Sequence, residues 1–64
     1  MSVFVIHNFQ KELKNARTQL LEHLVQGGVE NFEEYKYILG KIDMLDMCQQ
    51  ELSRLLDKEE KIDD

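Results

Sequence analysis

From Ile6 the apolar positions advance along the chain at alternating intervals of three and four: Ile6, Phe9, Leu13, Ala16, Leu20, Leu24. That spacing keeps side chains on one face of a helix. Leu21 and Val25 widen the stripe at its end. The pattern predicts a helix over about residues 8–26, with Asn8 as its cap and Val3–Ile6 as an extended apolar arm. The same residues allow a second reading, in which Ser2 is the cap and the helix starts at Val3. The β-branched run of the arm favours the first.

Gly27-Gly28 interrupts the stripe, because a glycine closes a helix in the left-handed region without a Cβ clash. The turn is expected over 27–31. Asn31-Phe32-Glu33-Glu34 then reads as an N-cap with a glutamate three residues on, a variant of the capping box. The two glutamates also place negative charge at the positive end of the helix dipole. From there a second seam runs Tyr35, Ile38, Ile42, Leu45, Gln49, Leu52, Leu56, flanked by Leu39 and Leu55. It predicts a helix over about 32–58 and a frayed acidic tail over 59–64.

Two helices joined by so short a connection lie antiparallel. The expected fold is all-α, one αα-hairpin domain over residues 1–64. At 1.5 Å per residue the two rods would be about 28 and 40 Å long. Leu52, Leu55 and Leu56 then project past the first helix unless that helix reaches back to Val3. Two helices also cannot enclose a core. Self-association into a homodimeric four-helix bundle or coiled-coil-like assembly is the expected remedy. The seam assigned to it is Phe9, Leu13, Leu20, Leu24, Ile38, Ile42, Leu45, Gln49, Leu52 and Leu56. Gln49, polar within that seam, either sets register or reaches the bundle edge.

The second helix is apolar on a further side. Tyr37, Gly40, Met44 and Met47 follow at intervals of three, four and three. Gly40 offers a notch for another backbone, and methionines adapt to varied shapes. These four form a candidate face for another protein, and Met44→Glu is expected to leave the hairpin folded and paired while abolishing capture of that partner.

Composition narrows the chemistry. Sixty-four residues bury a small core, and Cys48, the one cysteine, excludes an internal disulfide. A lone thiol and an apolar opening of four residues suit a soluble, cytoplasmic protein without a signal peptide. His7, His23 and Cys48 have no zinc-site spacing, so neither metal nor cofactor is expected. No catalytic constellation stands out: His7 and His23 lie more than about 20 Å apart along one helix. "GGVENFEEYKYILGK" is not a phosphate loop, since Ile42 stands where a Ser or Thr would bind magnesium.

Charge is uneven. Residues 1–28 carry three basic and two acidic side chains (+1), and residues 29–64 carry five basic and eleven acidic (−6), summing to −5. Only the first half suits a phosphate backbone. Lys11, Lys14, Asn15 and Arg17 form the candidate nucleic-acid face. The layout is that of the dimeric RNA-binding plasmid regulator Rop, an analogy of fold alone.

At the join, "QGGVENFEEYKYILGKIDML" resembles the short, uncharacterised helical proteins encoded by many tailed bacteriophages. The likeness rests on the glycine turn, the acidic-aromatic start, Tyr35-Lys36 and Gly40-Lys41-Ile42, and covers the middle third of the chain. It carries no assigned site residues. It implies a viral protein in the virion, in assembly, or bound to a host factor in the host cytoplasm. The expectation from all these features is a non-enzymatic protein–protein interaction module that self-associates. The alternative is a Rop-like nucleic-acid regulator.

Overall fold

The computed structural model describes the backbone of residues 2–62 and the side chains of residues 2–58. Two helices, α1 (Val3–Val25) and α2 (Phe32–Ile62), form an antiparallel αα-hairpin. The hairpin is a rod with principal extents of 51 × 16 × 15 Å.

α1 begins at Val3, five residues before the start that the β-branched run favoured. Ser2 is the cap: its backbone is extended, and its hydroxyl accepts from the Val5 N–H at 3.2 Å. Its carbonyl takes the Ile6 N–H at 3.1 Å. The reason is tertiary. β-Branched residues lose only tenths of a kcal/mol each in a helix, and the extra turn brings Ile6 and its neighbours alongside the far end of α2. Leu56 is thereby covered by α1, with 6% of its surface exposed. The arm expected at Val3–Ile6 is helix, and Asn8 is an exposed residue within it.

α1 closes in a Schellman turn. Gly28 N–H donates to the His23 carbonyl at 3.0 Å and Gly27 N–H to the Leu24 carbonyl at 3.3 Å. Gly27 has φ +74, a region where a Cβ clashes with its own backbone. α2 starts as its sequence indicates. Asn31 Oδ1 accepts from the Glu34 N–H at 2.8 Å, and Glu34 Oε2 accepts from the Glu30 N–H at 3.3 Å. The return bond of the box therefore lands one residue before the cap. α2 runs through to Ile62, four residues past its expected end. The last two residues of the acidic tail, Asp63 and Asp64, lie outside the described residues.

The core is a single seam. Leu13, Ile38, Ile42 and Leu56 are buried, and Ile6, Leu20, Leu24, Leu45 and Leu52 are half-buried beside them. Polar contacts set the register between the helices. Gln49 Nε2 donates to the Gln10 carbonyl at 3.0 Å, so the seam glutamine fastens to the backbone of α1. Arg17 Nε donates to Asp46 Oδ1 at 2.8 Å. Both partners of that pair are about 40% exposed, which limits it to the tenths-to-one kcal/mol of a solvated ion pair.

Candidate interaction face

The hairpin has two unlike broad sides, separated by the helical repeat. Residues seven apart return to one side of a helix, and those three or four apart lie close to it. Arg17 and Gln10, seven apart on α1, meet Asp46 and Ser53, seven apart on α2. That side is crossed by hydrogen-bonded polar groups. Apolar Leu21, Leu39 and Tyr35 appear on it only toward the turn.

The other side is the more apolar of the two, with Glu12, Gln19 and Lys41 as the polar residues among its apolar ones. On α1 it presents Val5, Phe9, Ala16 and Leu20; on α2 it presents Met44, Leu45, Cys48, Leu52 and Leu55. Ala16, Gln19 and Leu20 face Lys41, Met44 and Leu45 across a shallow groove. The groove exists because Ala16 is small at a position where the seam elsewhere carries leucine or phenylalanine. Phe9 and Leu55 remain 49% and 46% exposed on this side.

Of the residues assigned to self-association, Leu13, Ile38, Ile42 and Leu56 are used within the hairpin. Leu20, Leu24, Leu45, Gln49 and Leu52 are shared between the hairpin interior and its edge. Phe9 is not part of the internal seam; Gln10 takes its place against α2. The sequence stripe passed over Val5 as a member of the apolar side, and over Gln19 and Lys41 as polar residues at the groove's rim. The signals for that side were the small side chain of Ala16, the one alanine on the stripe, and the repeats of seven from Phe9 to Ala16 and from Cys48 to Leu55.

The four residues of the candidate partner face are all exposed, and Met44 also lines the groove. Met44 turns into the groove beside Leu20 and Leu45. The Tyr37 ring is covered by the Lys41 ammonium, 4.4 Å from its centroid. Met47 and Gly40 point away from α1, and a Cβ added to Gly40 would meet nothing within 4 Å. The separate outer face expected from the sequence is thus not separate at Met44. In the candidate nucleic-acid face, Lys11, Lys14 and Asn15 are exposed, whereas Arg17 is turned to α2 and bound by Asp46. That removes one positive charge from an already weak footprint.

Near the turn, His23 Nε2 lies 3.3 Å from Glu34 Oε1. The imidazole also covers Gly28, where an added Cβ would come within 2.4 Å of His23 Cε1. The hydrogen bond from His23, then that from the Glu30 N–H, hold the Glu34 carboxyl below its ordinary value near 4.5. A depressed carboxylate pKa contributes stability above the unfolded value and loses it as pH falls through the folded one. Thermal unfolding of the native chain should therefore show an acid-side loss of melting temperature beginning near pH 4.5 and continuing below it. In Glu34→Gln that part of the pH dependence is expected to vanish. An identical acid profile in both chains would show that the contact does not form in solution.

Among the described residues, no three His, Cys, Asp or Glu side chains come together as a metal site. No described helix is long and apolar enough to cross a membrane. No protein-family model, curated protein or solved structure matches this chain.

Proposed function

We propose that this hairpin is a non-enzymatic protein-interaction module whose working form is a pair of identical chains. The observation that carries this reading is surface. A compact monomer of 7.6 kDa exposes about 4,300 Å² by the usual mass scaling, whereas the hairpin exposes 5257 Å². The excess of about 1,000 Å² is close to the ~800 Å² that each partner buries in a standard interface. Its composition agrees: among the described residues thirteen large apolar side chains are exposed against four that are buried. A second hairpin laid on the apolar side supplies the missing layer of a four-helix bundle.

A structural or adaptor role follows from such a module, in a virion, in assembly, or on a host protein, as the likeness to small phage proteins implies. The nucleic-acid reading is disfavoured by the Arg17–Asp46 pair and the net charge of −5. Sedimentation equilibrium at micromolar concentration tests the proposal directly. The expected mass is twice the 7.6 kDa of the chain. A single chain that melts cooperatively, with a midpoint independent of concentration, would overturn it.

A further inference from the structure

Resting on the paired reading above, the charge on the two helices assigns the direction in which the second copy lies. We infer that the two hairpins pack with their apolar sides together and their turns at the same end, each α1 against the partner's α2. The two-fold axis then runs along the helices.

Two closed arrangements bring the same side of each hairpin together. With the axis along the rods, α1 sits beside its own α2 and the partner's α2, and like helices lie on diagonals. With the axis across the rods, the turns lie at opposite ends, and α1 packs on α1 while α2 packs on α2. Every neighbouring pair is antiparallel in both, so the helix dipoles do not choose between them. Side-chain charge does. α1 carries Lys11, Lys14 and Arg17 against Glu12 and Glu22, a net of +1. α2 carries five basic and eight acidic side chains over Phe32–Ile62, a net of −3.

Packed helices are 8–10 Å apart, about one Debye length, while diagonal ones are roughly 1.4 times farther and more strongly screened. With Arg17 and Asp46 already paired inside each hairpin, α1 is neutral and α2 keeps a net of −2; the turns-together pair therefore sets each acidic helix against a neutral one and keeps the two acidic ones apart. The opposite-end pair sets acidic α2 directly against acidic α2. The occupant of the apolar side is a second copy because Val5, Phe9, Met44 and Leu55 are left 46–56% exposed on it, and the surplus surface of the whole rod is of the order of one partner's share of an interface. A copy also offers the apolar stripe that this side requires.

The turn reports the direction. A spin label on Glu30→Cys, in a Cys48→Ala chain, is read by double electron–electron resonance. Turns together give a separation of roughly 20–25 Å, two helix layers plus label reach. Turns apart give a distance approaching the 51 Å length of the rod. Gln26→Cys provides a second site should a label on Glu30 disturb the turn. Short distances at either site in a sample of dimer mass support the inference. Long distances in a dimer overturn the direction and leave the pairing intact. Single-chain mass overturns both.

Discussion

Phe9→Glu is expected to convert the pair into single hairpins at micromolar concentration. Phe9 lies on the apolar side, half exposed in one hairpin, so a carboxylate there stays solvated in the isolated chain. In the pair it would have to be buried, and twice, because symmetry repeats every change. Losing the burial of one phenylalanine costs about 1.5–3 kcal/mol. Because pairing newly buries only the exposed half of each ring, two copies cost about 1.5–3 kcal/mol, which raises the dimer dissociation constant by at least roughly tenfold. Sedimentation across a concentration series reads that shift. Phe4→Glu is the matched control, since Phe4 is five residues away, off the apolar side, and 74% exposed. If Phe4→Glu dissociates the pair and Phe9→Glu does not, the docking side has been assigned to the wrong half of the rod.

Ile42→Ala is expected to unfold most of the protein at room temperature. Ile42 is 5% exposed and sits within the seam, against the turn-side half of α1. Truncating a buried isoleucine to alanine costs about 2–5 kcal/mol, from lost transfer free energy and the cavity left behind. With four buried side chains among the described residues, that is a large share of the total stability. Urea unfolding followed by circular dichroism should show the midpoint fall steeply, with helical signal lost in buffer. A shift no larger than that of the exposed Met47→Ala would mean that the seam is not the core.

The hairpin and its turn were readable because each rests on local chemistry. The three-four spacing, the glycine pair and the Asn31 cap act within a few residues of one another. The start of α1 was misread for the opposite reason. Val3–Ile6 is a weak preference for extended backbone, and it yields to contacts with α2 some fifty residues later. The overhang of Leu52, Leu55 and Leu56 pointed to that alternative, and the folded chain decides it by covering Leu56. The apolar side was half legible. Its aliphatic members fell on the seam stripe, but whether a seam residue points at the mate or past it differs by less than one helical position. Phe9 and Gln10 changed places on that margin. Met44 was assigned to a distinct surface because a stripe read on one helix ignores the small Ala16 opposite, and it is Ala16 that lets the groove form.

The closed turn also governs how two copies can come together. Helical hairpins can open at the bend, straighten into one long rod, and exchange arms with a neighbour. Here the bend is held by the left-handed Gly27, by two amide bonds onto the end of α1, by the imidazole resting on Gly28 and by the Asn31 cap. Straightening would break all of these before any swapped contact formed. In the proposed pair the copies would therefore meet as finished hairpins, and assembly would be a docking event that reverses on dilution without unravelling either fold.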